Sequence, residues 1–354
     1  MSELESGTPG ILGPGRARRQ KVSISREELV RIEPLIAGRE IPVAIEPSIP
    51  GLELLAWASE NRALIDELLL RHRALLFRGF EIKEVADFDR FVHATSNGDL
   101  LEYRDRSSPR HEIGSKIYTS TDYPADQPIF LHNEGTYWLT WPLKIYFGCI
   151  VAAREGGETP IADCRKVLAR IDPEVRARFA EKGVMYVRNF NAGFGLPWQT
   201  VFQTSSPADV DEYCRRNDIE AEWLDGGRIR TRQVRQAIAP HPATGEEIWF
   251  NHGTFFHVST LVPAVRDAML AEFSLEDLPY NTYYGDGSPI EPEVLEDLRN
   301  AYRAETLSFP WQKGDVLLLD NMTVAHSRAP FIGERKVVVG MAEPYPPARS
   351  RSEA

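Results

Sequence analysis

The segment LHNEGTYWL, Leu131–Leu139, sets His132 and Glu134 two residues apart inside the apolar and aromatic run YPADQPIFLHNEGTYWLTWPLKIYFGCIVAA. In an extended strand residues i and i+2 face the same side, so an imidazole and a carboxylate would enter one space together. That is half of a metal site. Three later histidines could complete it: His326, read as lying in a loop after the apolar run GDVLLLDN, and His252 or His257 in FNHGTFFH. Two histidines and one carboxylate on one facet leave open coordination positions, which suits non-haem Fe(II) oxygen chemistry. Zinc accepts the same donors, but the HExxH pattern of a catalytic zinc helix is absent. Taken alone, an HxE pair is more often a hydrogen-bonded couple than a metal site. His252 and His257 read equally well as structural or substrate-facing histidines.

A second stretch strengthens the metal reading. In WQKGDVLLLDNMTVAHSRAPFIGERKVVVGMAEP an apolar strand ends at Asp320–Asn321, His326 follows, and Arg335 opens another apolar strand. An arginine offers a planar, two-pronged donor that matches a carboxylate better than a lysine does. Metal and anion sites are therefore expected side by side.

The elements that would carry these residues are mostly short strands. After residue 128 the chain alternates β-rich runs (KIYFGCIVAA, GVMYVRNF, EEIWFNHGTFF, TLSFP, DVLLLDN) with Gly, Pro, Asn and Asp, interrupted by helical stretches near 163–182, 207–217, 262–275 and 291–304. Ahead of them, IPGLELLAWASENRALIDELLLRHR has apolar residues at helical spacing, ALLFRGF reads as a buried strand, and EVADFDRFVHAT as another helix. Without a strand-helix alternation, the pattern favours a β-barrel or sandwich, mainly β with flanking helices, over a doubly wound sheet. Residues 1–22 and 348–354 read as flexible tails around one decorated domain, 23–347.

Composition sets outer limits. The 354 residues are 42% hydrophobic and 26% charged, ordinary for a globular chain, and 41 Lys and Arg against 52 Asp and Glu give a net charge of −11. That balance disfavours nucleic acid or an anionic membrane as a general partner. Three cysteines, Cys149, Cys164 and Cys214, with no CxxC spacing, suggest a reducing, cytoplasmic setting. Neither a signal peptide nor a membrane span is legible.

Several segments in fixed order, over roughly residues 70–345, carry a family resemblance. The order HxE, a downstream threonine, a distal histidine and then an arginine resembles the TauD/TfdA family of Fe(II)/2-oxoglutarate-dependent dioxygenases. The segments YTSTDYPADQPIFLHNE, GGETPIADCRKV, WFNHGTFFH, YYGDGSPIEPEVL and GDVLLLDNMTVAHSRAPFIGERKVVVGMA are similar to its SyrP-like subgroup. The resemblance implies a double-stranded β-helix, the jelly roll of clavaminate synthase-like proteins. It implies His132, Glu134 and His326 as ligands of Fe(II), with 2-oxoglutarate and O₂ as cosubstrates. Thr159 would contact the 2-oxoglutarate carboxylate and Arg335 would pair with its distal end, with Arg328 as a rival for that salt bridge. Halogenating relatives replace the carboxylate ligand by a small residue; Glu134 is retained, which implies oxygenation instead.

The subgroup resemblance implies hydroxylation of an amino-acid-like substrate in natural-product biosynthesis, in some cases tethered to a carrier protein. Desaturation, cyclisation or another oxidative rearrangement uses the same ligand set, and a non-catalytic metal-binding jelly roll is the alternative outside enzymes. Asn251 and His252 in WFNHGTFFH are substrate-side candidates, as is Arg328. So is Arg230, in DGGRIRTRQVR, where Arg228, Arg230 and Arg232 alternate on one face with Arg235 beyond. Such a face could grip a substrate carboxylate or an acidic carrier protein, or serve only as a charged strand edge.

Overall fold

The computed structural model describes residues 29–98, 100–101, 116–119, 123–190 and 195–345. The tails expected at 1–22 and 348–354 lie outside these residues.

Two facing sheets form the centre. The major sheet runs, edge to edge, through Val30–Pro34, Val43–Pro47, Ala74–Phe77, Val316–Asp320, Trp141–Val151, Lys336–Tyr345 and Ile117–Thr119. Its neighbours are antiparallel except Val43–Pro47 with Ala74–Phe77, which are parallel. The minor sheet orders Thr306–Leu307, Ile161–Asp163, Val324–Arg328 and Ile129–His132.

The run VLLLD explains why the major sheet is buried on both faces. Leu317 and Leu319 join Ile145, Phe147, Val337, Val339 and Met341 in the layer that meets Ile161 and Val324 of the minor sheet. Val316 and Leu318 point the opposite way, with Tyr146 and Val338, onto helices Leu54–Glu60, Arg62–His72 and Val85–Thr95. A strand covered on both sides reads as continuous apolar sequence, because each alternate residue meets a different layer. The helical stretch before Ala74 is broken at Asn61, whose side chain donates to Trp57 O at 2.7 Å in competition with the helical backbone bonds.

A separate antiparallel sheet orders Glu220–Leu224, Arg228–Arg235, Val184–Phe190 and Tyr280–Tyr284. Helices Cys164–Arg170 and Pro292–Glu305 cover the outer side of the minor sheet through Val167, Leu168, Leu295 and Leu298. The short helix Trp198–Phe202 lacked a periodic signal. Among the described residues no helix is long and apolar enough to cross a membrane.

Candidate active site

His132 is the last residue of its strand, and it lies directly opposite His326 in the antiparallel pairing of Ile129–His132 with Val324–Arg328. His326 is therefore in a strand, not in the loop expected from sequence. Glu134 is likewise not in the strand of His132. It sits in the turn that follows, so the same-face argument gives the right neighbours for the wrong local reason. Donor atoms of His132, Glu134 and His326 all lie within 4.8 Å of one another, and all three residues are buried. Neither His252 nor His257 belongs to that group.

The turn that aims Glu134 has identifiable causes. Gly135 follows it at φ +73°, and a Cβ there would meet the Trp138 ring at 2.5 Å, so a side chain is excluded both by conformation and by space. The buried Asn321 side chain fixes the Glu134 backbone from both sides: Oδ1 accepts from Glu134 N at 2.8 Å, and Nδ2 donates to Glu134 O at 2.9 Å and Pro142 O at 2.8 Å. Asn133 reciprocates by donating to Asn321 O at 2.7 Å. Two asparagines thus lock the turn between His132 and Glu134 to the turn that precedes the His326 strand. Sequence reading had marked Asn321 only as a strand end; its signal was a buried-type run closed by an amide rather than by glycine.

His132 Nδ1 is 2.8 Å from Phe130 O, so Nδ1 carries the proton and Nε2 presents its lone pair to the cluster. The ring stacks on Phe255 at 4.4 Å, and His326 packs on Phe147 at 4.8 Å. Two imidazoles and a carboxylate at this spacing, with one tautomer already fixed, are a donor set that fits an Fe(II)-type ion.

Thr159 and Arg335, the residues expected to bind the cosubstrate's carboxylates, lie near each other in the structure. Arg335 Nε donates to Gly157 O at 2.8 Å, and Thr159 is two residues further on. Gly157, at φ +73°, leaves room for the arginine: a Cβ would come to 3.0 Å from Arg335 Cδ. Burial, and secondarily the neighbouring Arg328 charge, push the Arg335 guanidinium down to about 10, the environment in which an incoming carboxylate is most favoured. Trp311 Nε1 donates to Thr159 Oγ1 at 3.1 Å, which leaves the hydroxyl proton to point elsewhere. Trp311 escaped the sequence reading.

Arg328, the rival for the salt bridge to 2-oxoglutarate, is engaged by backbone carbonyls. Its guanidinium donates to Tyr123 O, Pro124 O and Gln127 O at 2.9, 2.6 and 2.8 Å, and so organises the segment that enters the His132 strand. Asn251 is also local scaffolding, donating to Ala237 O and accepting from Gly253 N, both at 2.9 Å. His257 Nδ1 accepts from Ser259 N at 3.1 Å and caps the turn Val258–Thr260; burial, then Arg299, lower it to about 4. Arg230 reaches Asn189 and Asp277, and Arg232 lies between Glu220 and Glu222, all within or beside the separate sheet. Arg228 donates to Asp225 O.

A cavity of about 190 Å³ opens above the cluster, with His132, Glu134 and His252 at its floor and Tyr123, Gln127 and Pro128 at its rim. His252 hydrogen-bonds Thr136 through Nδ1, and its backbone N–H donates to Tyr186 Oη at 2.8 Å. Burial, then the nearby His132, hold it well below the usual histidine range.

Comparison with known proteins agrees with this geometry. Residues 36–341 match the family model described as taurine catabolism dioxygenase TauD, TfdA family. The chain is 41% identical over 324 residues to the dapdiamide synthesis protein DdaC of Enterobacter agglomerans, covering 91% of this chain and 98% of the relative. It is 29% identical to a clavaminate synthase-like protein of Arabidopsis thaliana, covering 86% and 94%. Among solved structures, PvcB of Pseudomonas aeruginosa superposes with a TM-score of 0.54 at 15% identity, over 92% of this chain and 94% of that one, a likeness of fold. PvcB is itself described as an Fe, alpha-ketoglutarate dependent oxygenase. With jelly-roll neighbours, a family match over most of its length and a His-Glu-His cluster in place, the chain belongs to the TauD/TfdA family and is an Fe(II)/2-oxoglutarate-dependent dioxygenase.

Proposed function

We propose that His132, Glu134 and His326 hold Fe(II), and that Thr159 and Arg335 hold 2-oxoglutarate. The observation that carries this reading is the buried cluster of donor atoms within 4.8 Å at the floor of a cavity. When bound, iron, 2-oxoglutarate and O₂ supply the oxidising power: 2-oxoglutarate leaves as succinate and CO₂, and one oxygen atom enters the substrate.

The protein's own work is positioning. His132 offers Nε2 because Phe130 O retains the Nδ1 proton. Glu134 is aimed by its clamped backbone. Arg335 supplies a buried cation for the distal carboxylate, and Thr159, accepting from Trp311, turns its own proton toward the cosubstrate. Phe255 and Phe147 keep water from the imidazoles.

The reaction we assign is hydroxylation of an unactivated C–H bond of an amino-acid-like small molecule in a natural-product pathway. Its support is the retained Glu134 and the extensive similarity to a dapdiamide synthesis protein. Presentation of that substrate on an acidic carrier protein is the finer form of the proposal, supported by the subgroup resemblance of WFNHGTFFH and YYGDGSPIEPEVL. Cys149, Cys164 and Cys214 are all buried and form no disulfide, which accords with a cytoplasmic setting. His326→Ala is expected to abolish succinate formation and the visible band of the anaerobic Fe(II)·2-oxoglutarate complex. Near-normal turnover in that variant overturns the ligand assignment.

A further inference from the structure

The cavity above the cluster has a composition that constrains what can reach the metal. Its walls are Phe130, Phe255, Phe256, Tyr280, Leu261 and Val262, and its neutral polar groups are Gln127, Thr260 and His252. Among the described residues that line it, Glu134 alone is an acid and none is a lysine or arginine.

The cations nearest the walls are committed elsewhere. Arg328 spends its fork on three carbonyls of the rim segment. Arg299 lies behind Thr260, donating to Ser259 Oγ at 3.0 Å and pairing with Glu296 at 3.0 Å. Thr260 itself donates to Thr254 O at 2.6 Å. Arg230, the substrate-facing candidate from sequence, is paired with Asp277.

Pushed between these rings, a carboxylate would lose its hydration with no lysine or arginine among the described lining residues to meet it, and an ammonium would find only Glu134, read above as an iron ligand, whereas an apolar group gains about 25 cal/mol for each Å² it buries. We infer that the part of the substrate delivered to the metal is uncharged, an acyl, aryl or amide-capped group, with every charged group of the substrate held at or outside the rim formed by Tyr123, Gln127 and Pro128. This rests on the reading of the cluster as the iron site and narrows it: the oxidised C–H lies on the neutral end of the molecule, away from an amino acid's own charges.

Three probes of equal length test this, each with identical ends so that one end must enter: adipamide, adipate and hexane-1,6-diamine. They are titrated into the full-length protein holding Fe(II) and saturating 2-oxoglutarate without oxygen, and binding is read from the change in the visible band of that complex. Adipamide is expected to bind at least 10-fold tighter than either charged probe. In Leu261→Lys, a half-buried wall position, the order should invert toward adipate. Charged probes that match adipamide, or an absence of binding by all three, overturn the inference, as does an unchanged order in the variant. Failure of the visible band to form before any probe is added overturns the iron reading instead, so the two failures are distinguishable.

Discussion

Glu134 is held through its backbone, and the group that holds it is the Asn321 amide. Removing that amide in Asn321→Ala strands the Glu134 N–H, the Glu134 carbonyl and the Pro142 carbonyl in a buried setting, each at a cost of about 1–3 kcal/mol. The expected outcome is an Fe(II) affinity lowered by 10-fold or more in anaerobic titration. Asn321→Asp, which keeps the acceptor but loses both donations, should fail to restore it. Wild-type affinity in both variants would show that the clamp does not position the carboxylate. Arg335, proposed above to hold 2-oxoglutarate, is expected to act on a different quantity. Losing one side of a buried guanidinium–carboxylate pair costs ~3–5 kcal/mol. Arg335→Ala should therefore raise the 2-oxoglutarate KM by orders of magnitude with iron affinity intact, whereas Arg328→Ala should leave that KM nearly unchanged and loosen the 123–127 segment.

At the scale of elements, the turn Val258–Thr260 contributes to the wall of the cavity through Thr260 and depends on a neutral His257. Its Nδ1 must stay unprotonated to accept from Ser259 N. The folded value near 4 lies below the ordinary 6.5, so the unfolded chain binds the extra proton first as pH falls. This contribution to stability is complete above about pH 6.5 and is lost progressively toward pH 4. Melting temperatures measured across that window should fall less steeply for His257→Asn, which keeps an acceptor but does not titrate; parallel curves would refute the role. A second tie joins the strand Ala74–Phe77 to Val316–Asp320. Arg78 meets Asp315 at 2.6 and 3.1 Å, with Asp315 fully buried and also accepting from Gln312 N. Asp315→Ala leaves the guanidinium without its partner at the start of the central strand, and a loss of ~3–5 kcal/mol in denaturant unfolding is expected.

Across the whole molecule the charge of −11 opposes an acidic partner at long range, so any carrier protein must find local positive charge. The arginine face is the place to look, yet Arg230 and Arg232 are already matched to Asp277, Glu220 and Glu222. If that face docks an acidic carrier, reversing Arg228 and Arg232 to glutamate should slow reaction of a tethered substrate steeply at low salt. The effect should fade at high salt, because screening acts beyond about 10 Å at 0.1 M. Turnover of a free substrate should survive the reversal. Equal rates for a tethered substrate in both proteins would remove this face from consideration.

The residue types and their order were legible in the sequence: an HxE pair, a distal histidine, a threonine and an arginine are local chemical facts, and apolar runs such as VLLLD and KVVVGMA already read as buried strands. So was the helical character of 84–95 and of 291–304, borne out as Val85–Thr95 and Pro292–Glu305. What only the tertiary structure decided was selection among equals. His326 joins the cluster instead of His252 or His257 because it stands opposite His132 in register, a pairing between strands distant in the chain that no local pattern encodes. The Arg328 fork is engaged by three rim carbonyls, Tyr123 O, Pro124 O and Gln127 O, which no local pattern around Arg328 announces. Glu134 reaches the metal side through a glycine turn and two interlocked asparagines, where alternation along a strand had been expected. Local sequence sets which groups can ligate, but strand register and buried hydrogen-bond partners determine which of them converge.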